Sequence, residues 1–196
     1  MSTFNELVAL IDARYELVLQ DPDISIRAGN LLDTALHLAA KKWASALNHP
    51  DVSRIKNFVG RTPLHFAAEY WESALQHPDV SKVRDEYGKT PLHFAAERWE
   101  SALQHPDVSK VRDEQGRTPL HIAARYGWES ALQHPDAATV VDQEGNTPLH
   151  LAAEGKWYTG VLTHPDADLV ENYLHYTPRQ LAMRSHVRVL RDSTEK

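Results

Sequence analysis

The chain has 196 residues, 42% hydrophobic and 24% charged, a globular rather than a disordered balance. A net charge of −6 and a pI near 6.0 argue against a sequence-independent grip on nucleic acid or on an anionic membrane. With no cysteine, disulfides, zinc-thiolate sites and a cysteine nucleophile are excluded.

The first segment, MSTFNELVALIDARYELVLQD, lacks a basic n-region and is interrupted by Asn5, Glu6, Asp12 and Arg14, so it does not read as a signal peptide. Phe4, Leu7, Val8, Ile11, Tyr15 and Val18 recur at helical spacing and predict an amphipathic helix from about Phe4 to Leu19. No run approaches the roughly 18 apolar residues of a membrane span. The expectation is a soluble cytoplasmic protein with neither a membrane nor a nucleic-acid partner.

From Thr34 onward the chain repeats. Thr34, Thr62, Thr90, Thr118, Thr147 and Thr177 stand 28, 28, 28, 29 and 30 residues apart. Four are followed by Pro-Leu-His and Thr34 by Ala-Leu-His. The extra residues of the later units fall between an Ala-Ala pair and the next His-Pro-Asp, so the rest of each unit has fixed geometry. Leu19 to Asp23 precedes Thr34 by the interval at which Leu75 to Asp79 precedes Thr90, which makes residues 1–33 a terminal half-unit. One repeat domain over 1–196 is predicted, with repeats at 34–61, 62–89, 90–117, 118–146 and 147–176 and a second cap at 177–196. That last cap carries Arg179, Arg184, Arg188, Arg191 and Lys196 against Asp192 and Glu195, which reads as a charged, solvated helix closing the stack.

Within one unit, Asp85 to Gly88 is a turn, with glycine free to take positive φ. Thr90 caps a helix and Pro91 sits at its first position, where no backbone donor is needed. Leu92, Ala95 and Ala96 make an i, i+3, i+4 face that a neighbouring helix can approach closely. A second, short helix carries Trp99, Ala102 and Leu103 and must stop at His105, ahead of Pro106.

GRTPLHFAA, GKTPLHFAA, GRTPLHIAA and GNTPLHLAA resemble the ankyrin repeat, with Thr-Pro-Leu-His after a glycine turn, over roughly residues 20 to 190. The resemblance implies an all-α, helix-turn-helix solenoid with projecting hairpin loops, and a protein that binds other proteins. The family's usual unit is about 33 residues; these are shorter, and the missing turn lies in the second helix, between Ala96 and His105. Trp43, Trp71, Trp99, Trp128 and Trp157 stand in one register beside that deletion. A buried indole removes about 150–250 Å² from water, so one tryptophan per unit is expected to replace the lost apolar volume. The rival reading is an exposed aromatic ladder.

His-Pro-Asp recurs at His49, His77, His105, His134 and His164. The tripeptide also marks J-domain cochaperones, where it occurs once between long helices; here it recurs in every unit and reads as a helix stop. A second ladder, His37, His65, His93, His121 and His150, belongs to the Leu-His motif. Equivalent residues of stacked helices lie about 8–10 Å apart, whereas zinc needs ligands at about 2.0–2.1 Å, so no ladder converges on one ion. The family resemblance assigns these histidines a hydrogen bond to the neighbouring helix start or turn. No catalytic constellation or phosphate loop stands out: no enzyme, metal or cofactor is expected.

A partner would meet the residues that vary among near-identical units, at the turn tips and the exposed ends of the first helices. Phe58, Val59, Arg61, Tyr70, Tyr87, Lys89, Arg98, Arg117 and Tyr126 form the candidate binding set, since aromatics and arginines are the usual anchors. Leu31 and Leu32 either extend it or, in a terminal unit, equally seal the core. A monomer is expected. The alternative is a structural or engineered array without a dedicated partner, suggested by the near-identity of residues 71–83 and 99–111.

Overall fold

The computed structural model describes residues 2–13, 16–25 and 33–184. Tyr15, Leu31, Leu32 and the basic tail beyond Arg184 lie outside the described residues. The chain divides into two compact units, Met1–Arg98 and Trp99–Lys196. The ordered elements among the described residues are helical, joined by turns.

The first unit holds α1 (Phe4–Asp12), α2 (Ala35–Lys42), α3 (Pro63–Tyr70) and α4 (Pro91–Arg98), each packed on the next. Five-residue 3₁₀ helices follow the first three, at Glu16–Gln20, Ala44–Asn48 and Glu72–Gln76. The predicted helix over 4–19 is therefore two elements. α1 stops at Asp12, and the apolar spacing beyond it belongs to the 3₁₀ turn that buries Val18. Leu7 and Ile11 are buried, while Phe4 and Val8 are only partly so.

The second unit holds a 3₁₀ helix at Glu100–Gln104, α5 (Pro119–Tyr126), α6 (Glu129–Leu132), α7 (Pro148–Glu154), α8 (Tyr158–Thr163) and a helical stretch over 178–184. α5 packs on α7 and α6 on α8. The inserted residues change the second helix. Where a unit has 28 residues, tryptophan directly ends the first helix in extended conformation and the next element is 3₁₀. With Gly127 inserted, α5 ends in a left-handed residue and α6 forms; with Gly155-Lys156, the six-residue α8 forms.

Each first helix is built the same way. The threonine side chain accepts from the N3 backbone N–H, and the N3 histidine accepts from the threonine N–H, a capping box in which histidine replaces the usual glutamate. Leu36, Leu64, Leu92, Leu120 and Leu149 are wholly buried, as are nearly all the alanines of the Ala-Ala pairs. The His-Pro-Asp turn links one unit to the next. His77 Nδ1 accepts from the Asp79 N–H at 3.1 Å, Asp79 accepts from Ser53 Oγ at 2.8 Å, and the Val80 carbonyl accepts from the Leu92 N–H at 2.9 Å. At the N-terminal end Asp21 stands in for histidine: its carboxylate takes the Asp23 N–H at 2.8 Å, and the Ile24 carbonyl accepts from Leu36. The recurring tripeptide is shape, repeated because each unit needs the same corner.

The tryptophans correct one expectation. Trp43, Trp71, Trp99 and Trp128 are partly buried, and Trp157 is 46% exposed. At Trp71 the chain is extended, which turns the indole across the preceding unit rather than into its core. Trp71 Nε1–H donates to the Ala40 carbonyl at 2.9 Å, and Trp157 Nε1–H to the Arg125 carbonyl at 3.0 Å. At these two positions the indole satisfies a carbonyl at the end of the previous first helix, where no helical donor reaches. Trp71→Phe keeps the ring and removes that donor, so an urea melt should show a loss of about 1 kcal/mol; an unchanged midpoint would remove the bond from the account.

Candidate protein-binding face

The histidine ladder holds the turns against the first helices. In the first unit His65 Nδ1 accepts from the Thr62 N–H at 2.9 Å, which leaves the proton on Nε2, and Nε2–H donates to the Lys89 carbonyl at 3.1 Å. His37 does the same to Arg61 at 2.9 Å. In the second unit His121 reaches Asn146 at 3.0 Å and His150 reaches Tyr176 at 2.9 Å. Each ring joins its own cap to the residue that precedes the next threonine. Burial, partly offset by these carbonyls, drives His65 and His121 down to about 4 and lowers His150. Neutral imidazole is the form this network requires. Among the described residues no three His, Asp or Glu side chains are placed to hold a metal ion.

The turn tips are tight hairpins. Asn57 Oδ1 accepts from the Val59 and Arg61 N–H groups at 3.1 and 2.9 Å, and Asn57 N–H donates to the Arg61 carbonyl at 2.8 Å. Asp85, Asp113 and Asp142 make the same Asx bonds in the following tips. Adjacent tips are bonded: Glu86 N–H to Val59 in the first unit, and Gln143 to Gln115 and Tyr173 to Glu144 in the second, each at 3.0 Å. Gly60 is obligatory, since φ is +73° and a Cβ would stand 2.9 Å from the Glu86 nitrogen.

On this frame the candidate residues separate into two groups. Phe58 is 72% exposed and Tyr87 50% exposed, on two bonded tips of the first unit. Tyr70 is exposed at the end of α3, and Arg98, exposed at the end of α4, pairs with Glu69 at 3.6 Å. Tyr126 is exposed at the end of α5 in the second unit. The others are occupied inside the protein. Arg61 pairs with the buried Asp85 at 3.3 Å and lies 4.6 Å from the centre of the Phe94 ring. Lys89 approaches the same ring at 5.8 Å, and Val59 gives its carbonyl to the next tip. Arg117 pairs with the buried Asp142 at 3.5 Å.

Phe66 and Phe94 were assigned no role from the sequence. They follow the Leu-His motif, and each of their nearly buried rings carries a cation, Lys41 at 4.2 Å over Phe66 and Arg61 over Phe94. Their spacing of one repeat was the available signal, but only folding shows which cation covers which ring. Exposed Leu169, Tyr173 and Leu174 in the last repeat were also missed: Leu169 stands where earlier units hold polar residues, and Tyr173 and Leu174 occupy the tip positions of Phe58 and of Val59 and Tyr87.

Capped helix pairs joined by His-bound turns, with bonded tips beside them, define a helix-turn-helix repeat protein. Residues 100–173 match the family model for ankyrin repeats, in 3 copies. Residues 100–173 are thus ankyrin repeats, and the same Thr-Pro-Leu-His cap recurs outside them at Thr62 and Thr90. No curated protein matches it. Ankyrin repeats are generally protein–protein interaction modules and typically non-catalytic. Among the described residues no helix is long and apolar enough to cross a membrane.

Proposed function

We propose that this protein is a non-catalytic, monomeric, cytoplasmic binding module that grips a partner protein through the tips and helix ends of its first unit. Phe58, Tyr70, Tyr87 and Arg98 are the anchors there, and Tyr126 serves the same role on the second unit. The observation that carries the reading is the division of labour at the tips. Their backbone bonds repeat from unit to unit, so Phe58 and Tyr87 are not needed to make the turn, yet they leave large apolar surface in water. Arg61 and Lys89 shape the face of the first unit from beneath and contribute less direct contact, as does Arg117 at the tips of the second unit.

A photo-crosslinking amino acid at position 87 should capture a discrete protein from the source cell, and the same group at Lys82, away from the tips, should not. The Phe58→Ala, Tyr70→Ala variant should lower capture at position 87 by about tenfold or more. Equal capture at both positions, or capture indifferent to the two substitutions, rejects this face. Failure to capture any protein leaves the array without a dedicated partner, as the near-identity of residues 71–83 and 99–111 suggests.

A further inference from the structure

The second unit contains the residues that the shorter repeats lack, Gly127 ahead of Trp128 and Gly155-Lys156 ahead of Trp157. Around them lies a half-open cavity of about 340 Å³. Such a volume falls in the range of small-molecule sites, about 300–1,000 Å³. Its walls include Trp128, Trp157, Leu132 and Gly160, and its charged groups are Glu129 and Lys156.

Two features set this cavity apart from a gap left by loose packing. The first is backbone strain. A Cβ on Gly155 would stand 2.2 Å from the Arg125 carbonyl oxygen, so glycine is needed there for close approach. The left-handed step consequently falls on Lys156, with φ +71°, at the cavity. A lysine in that conformation costs about 1 kcal/mol or more, and strain of this kind collects where a side chain is held for use. The second feature is charge. Glu129 and Lys156 are both exposed, and neither has an ion-pair partner among the described residues. One cavity therefore offers two indoles, one anion and one cation.

We propose that this cavity binds a small planar aromatic molecule carrying both an amine and a carboxylate, the chemical class of the free aromatic amino acids. The ring takes the place of water against Trp128, Trp157 and Leu132, an exchange that favours flat apolar surface. The Lys156 ammonium receives the carboxylate and the Glu129 carboxylate receives the amine. Gly160 lets the chain lie directly against Leu132 in the wall, since a Cβ there would stand 2.6 Å from Leu132 Cδ1. This site is independent of the tip residues of the first unit.

Calorimetric titration of the full chain with L-tryptophan, tryptamine, indole-3-propionate and indole tests it. L-Tryptophan should bind saturably, with tryptamine and indole-3-propionate each weaker by about three- to fivefold and indole weaker still. Lys156→Ala should erase the advantage of L-tryptophan over tryptamine, and Glu129→Gln its advantage over indole-3-propionate. Both side chains are exposed, so both variants should keep the melting curve of the parent. No saturable heat at about 5 mM ligand overturns the proposal. So does indole binding as tightly as L-tryptophan, the result expected if the cavity only receives an uncharged aromatic side chain of a partner protein. Discrimination unchanged in both variants overturns it as well.

Discussion

Lowering the pH from 7 to 5 should destabilise the protein by about 2 kcal/mol for each of His65 and His121, about 4 kcal/mol in all. Both imidazoles are pushed down to about 4 by burial, against an ordinary value of 6.5 that they regain on unfolding. Between those two values the unfolded chain binds more protons than the folded one, so stability falls as the pH falls. The contribution is complete above about pH 6.5 and is lost towards pH 4. Protonation at Nδ1 would set a ring N–H against the Thr62 or Thr118 backbone N–H, breaking the cap and the tie to the next turn together. The Asp85 and Asp142 carboxylates pull the other way but rank below burial. His150 is shifted in the same direction and adds to the slope. Urea midpoints at pH 7, 6 and 5 measure the effect, and a His65→Gln, His121→Gln variant should flatten it. Glu154, raised by burial, gains stability as the pH falls and so opposes this slope; equal stability at pH 7 and pH 5 would refute the neutral-imidazole network.

Gly127→Ala should cost about 3 kcal/mol, much more than an ordinary surface substitution. At φ +91° a side chain adds about 1–2 kcal/mol of backbone strain. The new Cβ would also stand 1.9 Å from Trp157 Cε2 and 2.1 Å from Cζ2. The indole must then move away and give up its bond to the Arg125 carbonyl, a further loss of about 1 kcal/mol. Gly160→Ala provides the contrast. Its Cβ meets only the end of the Leu132 side chain, which can rotate, so a smaller loss is expected. Thermal melts, with indole fluorescence to follow Trp157, distinguish the two. Similar small losses for both variants would show that Trp157 is not seated on Gly127.

How much of this was legible depends on whether a residue answers to its own unit or to the next one. Thr62, Pro63, Leu64 and His65 act within one short helix start, and their spacing alone announces the cap, the buried leucine and the stop at His-Pro. The helix over 4–19 was misread because an α1 face and a 3₁₀ turn happened to continue one periodicity; Asp21-Pro22-Asp23 carried the correct signal, that a second short element precedes the corner. The tryptophans were placed in the right register but assigned to the wrong environment. Trp71 and Trp157 bond carbonyls 31 and 32 residues earlier in the chain, beyond the reach of local pattern. Arg61 and Lys89 look like free anchors in the sequence, and only the neighbouring Phe94 ring and Asp85 show them to be engaged.

The order of letters by itself determined the unit, its caps, its corners and the family resemblance, because each depends on contacts a few residues long that any copy must make. Tertiary structure decided the rest. Which side chains stay in water, which histidines lose their proton, and where the inserted residues open a cavity are all set by the adjoining repeat, since burial and hydrogen bonding there come from groups a full repeat away.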